Sequence, residues 1–379
     1  MRLLTLLLYV LAVGAEPTVD CTGLNAISPL CVSPEAPYRR DSFYIGGDYV
    51  PYGDTNQSLT VGQVYVEKLT PLSGVNQSNP LVFVSAAIPP GSGWASYFVA
   101  RGYQVYILDV IGNGRSTQND LADYTLRFGS TDNITQNGFT APELANYYPQ
   151  AEGHDKWPGT GVRGDPVFDT FEASVIPLNS NSTSGELAMR AAGCRLLALV
   201  GESFTFCHSA SCQYTTLWSD ECPDLVKATI NLEPTVIPFQ SLVGGVDDPA
   251  GRSPSRAYGL TNTPITYDPP IQSASELDFV EVGIDTPALR SCFLQASNST
   301  IHTLPEIAKV PFIMYTGSAS PHITYDHCVA LYLEQTQVPY EWIKLADIGI
   351  LGNGHFLYLE TNNIEIADVV YAKLQDLAA

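Results

Sequence analysis

Basic residues are scarce in this chain: 18 Lys and Arg stand against 39 Asp and Glu among 379 residues, giving a formal charge of −21. A polyanion would be repelled at every approach, so nucleic acid is excluded as a partner. No paired C-x-x-C or H-x-x-x-H element occurs, so no zinc spacing exists and no metal is expected. The glycine-rich stretch from Asp109 to Ser116 lacks the Lys-Ser/Thr of a P-loop and a clean G-x-G-x-x-G. It reads as a structural turn, and no cofactor is expected. Internal repeats and low-complexity tracts are absent, and beyond the first residues no apolar run is long enough for a bilayer.

What is present describes a packed globular protein, with 45% hydrophobic and 15% charged residues. The opening MRLLTLLLYVLAVGA has the parts of a secretory signal: Arg2, then the apolar run Leu3–Ala12, then the small residues Val13-Gly14-Ala15. Residues 1–15 are therefore expected to be cleaved, leaving 16–379 as one domain that is extracellular and has no membrane contact. All eight cysteines follow the leader, at 21, 31, 194, 207, 212, 222, 292 and 328. An even count behind a signal favours disulfides. Cys21 with Cys31, and Cys292 with Cys328, are the candidate pairs; the sequence leaves the connectivity of Cys194, Cys207, Cys212 and Cys222 open. Sequons at Asn56, Asn76, Asn133, Asn181 and Asn298 are candidate glycan acceptors on surface loops.

From Asp41 onward the pattern is readable. DSFYIGGDYV and LTVGQVYVEKL alternate as strands do. LVFVSA and QVYILDV are short apolar runs flanking the amphipathic WASYFVARGY, a strand–helix–strand crossover. GELAMRAAG reads as a helix leading into a strand RLLALV at 195–200; strands follow at 226–234 and 310–317, and a final helix at 362–377. The fold class is therefore α/β: a doubly wound, mostly parallel sheet with insertions at about 118–190 and 235–305, the first cap-like.

In such a sheet the site lies at the carboxyl ends of the strands. On this reading Ser203, in GESFTF, follows a strand and precedes a helix, the context of a nucleophile elbow; an ordinary serine in a turn is the plain alternative. A serine hydroxyl needs a base, and the base needs a carboxylate. His355, on the glycine-rich loop of LGNGHFLYLE, is the candidate base. Glu233, in INLEPT, is the candidate acid, because TGSAS after the next strand holds no carboxylate before Asp326. The backbone N–H groups of Ala86 and Phe204 are the candidate oxyanion donors. Trp157 and Phe168, in the first insertion, are candidates for a pocket wall; packing of the insertion onto the core is an equal reading.

Those stretches, with GWASYFVARGYQVYILDVIGNGRS, WPGTGVRGDPVFDTF and YGLTNTPITYDPP, resemble the α/β-hydrolase superfamily, and most of all a branch of bacterial and fungal esterase-like enzymes. The resemblance covers most of the chain after residue 41. It implies a Ser–His–Glu triad on Ser203, His355 and Glu233, a small-molecule acyl substrate, and an insertion covering the active site. One stretch departs from the branch. The His-Gly of its oxyanion loop is missing, and LVFVSAAIPPGSGWASYF is shorter by roughly ten residues. The expected activity is ester or lactone hydrolysis; the rival expectation is a weakened or inactive hydrolase fold that binds without turnover. The sequence leaves the oligomeric state open.

Overall fold

The computed structural model describes residues 21, 28, 30–32, 35–84, 93–242 and 251–379. The leader and Ala86 lie outside the described residues. Eight strands form the main sheet: β1 (Tyr38–Pro51), β2 (Ser58–Pro71), β3 (Leu81–Val84), β4 (Val105–Leu108), β5 (Ser203–His208), β6 (Val226–Leu232), β7 (Phe312–Thr316) and β8 (Tyr340–Lys344). Their spatial order is β1-β2-β4-β3-β5-β6-β7-β8. The β1–β2 and β2–β4 pairs are antiparallel, and every later pair is parallel. Flanking it as layers are the helices α1 (Trp94–Ala100), α2 (Ser182–Val200), α3 (Cys212–Glu221), α4 (Asp326–Gln335) and α5 (Asn363–Ala378).

Alternation along each strand sends side chains to opposite faces. On β5, Phe204 and Phe206 join a cluster with Phe98, Ile230 and Leu374, while Cys207 joins the cluster on the other face with Trp218 and Leu197. Between α2 and α3 the helices approach closely. A Cβ at Gly193 would stand 1.9 Å from the Trp218 ring, so only glycine fits there.

The sequence reading fails at 195–200. RLLALV is not a strand but the last turns of α2, which Asn181 caps by accepting from Ser184 N. A short apolar run between breakers suits either element, and here it completes an apolar helical face begun at Met189 and Ala192. Gly201, at φ +92°, ends that helix rather than opening a nucleophile turn. The strand then runs from Ser203 to His208, several residues later than expected.

The first insertion carries short helices at Asp132–Thr135, Pro142–Ala145 and Pro166–Glu172; the second carries two antiparallel ribbons. The disulfides are Cys21–Cys31, Cys194–Cys222, Cys207–Cys212 and Cys292–Cys328. Cys194–Cys222 ties the end of α2 to the end of α3, and Cys207–Cys212 brackets the turn that leaves β5.

Candidate active site

Four loops leave the carboxyl ends of β5 to β8 side by side. The first begins at Ser209, a non-glycine residue at φ +54°. That left-handed conformation costs about 1–2 kcal/mol, so something must hold it. The Thr235 N–H donates to the Ser209 carbonyl at 3.1 Å, and the two hydroxyl oxygens lie 3.1 Å apart. Ser211 Oγ donates to the His208 carbonyl at 2.8 Å and accepts from its N–H at 3.0 Å. The Cys207–Cys212 bridge closes the turn covalently. This is a sharp strand-to-helix turn with a serine at its apex, and Ser209 lines a cavity of about 470 Å³.

Glu233 follows β6, also left-handed at φ +52° and fully buried. Gly317 N donates to its carboxylate at 2.6 Å, and Ser320 Oγ donates to it as well. These two come from the loop after β7, the loop without an acid of its own. Burial, with Asp326 nearby, pushes the Glu233 pKa well up, and the two donors act the other way.

His355 lies on the loop between β8 and α5. Its Nδ1 is 3.3 Å from Glu233 Oε2 and the residue is 3% exposed. Phe139, from the first insertion, stacks on the ring at 4.8 Å, and the His322 ring lies parallel to it at 4.9 Å. His208 Nε2 donates to the His355 carbonyl at 2.9 Å, which fixes the His208 tautomer. Burial, then the neighbouring His208 and His322, hold the His355 pKa well below the ordinary value of 6.5. A neutral imidazole whose Nδ1–H points to a carboxylate keeps Nε2 free to accept a proton.

A latch holds this loop to the first insertion. His154 Nδ1 meets Glu143 at 2.9 Å, and its Nε2 meets Glu360 at 3.3 Å. Glu360 in turn accepts from Gly354 N at 2.7 Å and Asn353 Nδ2 at 2.6 Å, beside His355. Burial lowers the His154 pKa, but Glu360 and Glu143 outweigh it and the net shift is upward. A raised folded pKa means that the latch stabilises fully below pH 6.5 and is lost as pH rises through the raised value. His154→Ala should cost about 3 kcal/mol, because it leaves the buried Glu360 without its cationic partner. Urea unfolding at pH 6 checks this, with faster amide exchange at Gly354 as the local signature.

The structure thus brings Glu233 and His355 together and leaves Ser203 apart. Ser203 begins β5 at the amino end of the strand, buried, with Oγ donating to the Gly201 carbonyl at 2.8 Å. At about 3.3 Å per residue, it sits roughly 17 Å from the strand end that Ser209 follows. The elbow assigned to GESFTF is corrected accordingly. The Phe204 N–H is likewise unsuited to an oxyanion, since it donates to the Pro80 carbonyl at 3.0 Å. Trp157 and Phe168 are buried residues of the insertion itself, and neither lines the cavity. Trp157 packs edge-on against Phe171 at 5.6 Å and leans on Phe356. Asn56, Asn76, Asn133 and Asn298 are exposed, while Asn181 is half-buried at the α2 cap and lines the cavity. Ser209 was missed, although Cys207-His-Ser-Ala-Ser211 is a small-x-Ser-x-small pattern directly after FTF.

No protein-family model matches the chain. A curated protein named "Probable secreted lipase phiG", from Fungal sp. (strain ATCC 74256), is 33% identical over 370 residues, covering 93% of this chain and 94% of that one. Among solved structures, a novel bacterial esterase superposes with a TM-score of 0.55 at 15% identity, over 92% of this chain and 99% of the other. That second likeness speaks to the fold alone.

Proposed function

Because the chain belongs to the α/β-hydrolase superfamily, in one family with that fungal lipase, we propose that it is a secreted serine hydrolase of carboxylic esters whose nucleophile is Ser209. The observation that carries the reading is the strained Ser209 turn, lining a cavity together with His208, whose ring packs 4.4 Å from that of the Glu233-paired His355. Ser209 Oγ attacks the acyl carbon while His355 Nε2 takes its proton. The tetrahedral intermediate then collapses, the ester C–O bond breaks, and the leaving alkoxide receives that proton. Water repeats the sequence on the acyl enzyme and releases the acid. Glu233 keeps Nδ1 protonated and stabilises the imidazolium. The Ala210 N–H, next after the nucleophile, is one oxyanion donor, and the loop holding Ala86 supplies the second. The clipped loop at 85–93, the basis of the non-catalytic alternative, lies almost wholly outside the described residues.

Secretion rests on the leader, the four disulfides and the relative's name. Among the described residues no helix is long and apolar enough to cross a membrane. The sequons are proposed glycan sites.

The test is a rapid-mixing assay with 4-nitrophenyl butyrate. A burst of nitrophenolate equal to the enzyme concentration marks an acyl enzyme, whereas folded protein without burst or turnover would support the binding alternative. The same substrate reads the base. Activity needs neutral His355 and is lost as pH falls through its pKa, which burial, His208 and His322 depress. The acid limb of kcat/KM should therefore have its midpoint below pH 6.5. A midpoint at or above that value would remove His355 from the role.

A further inference from the structure

The cavity beside Ser209 reverses the character of the molecule. In a chain of charge −21 its described lining includes Arg127 and Arg256 and no Asp or Glu. Arg256 is 6% exposed, and its backbone is held left-handed at φ +51°, with its N–H donating to Asn262 Oδ1 at 3.0 Å. Its guanidinium donates from Nη1 to the Gln240 carbonyl, and Nε has no partner among the described residues. The side-chain amide of the same Gln240 is also without one.

No described carboxylate forms an ion pair with Arg256. Glu186 is close enough to act on it, but both Glu186 oxygens are taken by Asn262 and Thr263 at 2.7–3.0 Å. Tyr325 is the other titratable neighbour, and burial holds its phenol well above 10, so it is neutral. Burial pushes the Arg256 pKa down to about 10, which leaves it charged at neutral pH. His208, pushed by burial to about 4, adds no charge to the cavity. A buried guanidinium with unmet donors and no counter-ion is costly to keep, which makes sense where a ligand supplies the missing charge.

Resting on the hydrolase reading, we propose that the cavity takes esters that carry a carboxylate, with Arg256 as its seat and the exposed Arg127 at the rim. The planar fork of Arg256 matches a carboxylate, and the unmet Nε–H gives the discrimination. A substrate lacking the anion leaves that donor unpaired.

The experiment compares two esters of equal chain length, 4-nitrophenyl hydrogen glutarate and 4-nitrophenyl pentanoate. Wild-type kcat/KM should favour the glutarate ester at least about tenfold. Arg256→Met should bring the ratio towards one, Arg256→Lys should recover part of it, and Arg127→Gln, at an exposed position, should lower it about threefold. Glutarate binding to Ser209→Ala protein, by calorimetry, separates the two readings. Binding that Arg256→Met abolishes, alongside wild-type protein that hydrolyses neither ester, leaves the anion site standing and sinks the hydrolase reading. Turnover of the neutral ester as good as that of its partner, without glutarate binding, does the reverse. Inorganic phosphate binding tighter than glutarate would overturn the carboxylate assignment.

Discussion

Ser209→Ala lowers kcat/KM for a neutral ester by about 10⁴-fold or more, while Ser203→Ala leaves it within about threefold. The contrast follows from where the two hydroxyls sit. Ser209 stands at the apex of a strained turn, against the cavity, next to the loop that follows β6. Removing its oxygen removes the atom that forms the new bond. Ser203 stands at the amino end of its strand, and its hydroxyl donates to the Gly201 carbonyl. Its loss costs about 1 kcal/mol of stability and no chemistry. Thermal unfolding of both variants, run beside the kinetics, shows whether either effect is a folding defect.

Glu233→Gln is expected to lower kcat by about 10⁴-fold with little change in fold. The amide oxygen, in the Oε1 place, can still accept from Gly317 N, and the NH2, in the Oε2 place, can donate to Ser320 Oγ. The group facing His355 Nδ1 is then an N–H, so Nδ1 must accept, Nε2 carries the proton, and the base is lost. Asp326 cannot take over, because it is held by His322 Nδ1 at 2.9 Å and by Thr316 Oγ1. Glu233→Asp keeps the charge and shortens the reach, so it should recover part of the rate. Partial rescue by Asp and none by Gln marks loss of charge rather than loss of packing. Equal activity of wild type and Glu233→Gln would remove Glu233 from the mechanism.

The alternation of short apolar runs with helices made the sheet legible, down to the crossover at 81–108 and the strands that became β6 and β7. The vacancy in TGSAS was legible too, and it led to Glu233. In the structure that stretch supplies Gly317 N and Ser320 Oγ to the Glu233 carboxylate instead. The nucleophile was not legible, because GES carries a familiar glycine and the residues before it are as apolar as a strand. Only tertiary packing decides that Arg195–Val200 completes α2, since its buried positions Leu196 and Leu197 face the sheet. A cysteine in place of the first elbow glycine hid the second candidate, and the bridge to Cys212 does by covalent closure part of what small residues do elsewhere. The His154–Glu360 contact spans 206 residues, and the Glu186–Asn262 contact beside Arg256 spans 76, which no local pattern encodes.

The measurement that bears most directly on the central assignment is peptide mapping after reaction with a fluorophosphonate. The account predicts stoichiometric phosphonylation at Ser209 in the wild type, none in Ser209→Ala, full labelling in Ser203→Ala and strongly slowed labelling in His355→Ala. Label on Ser203, or folded protein that takes none, would contradict it.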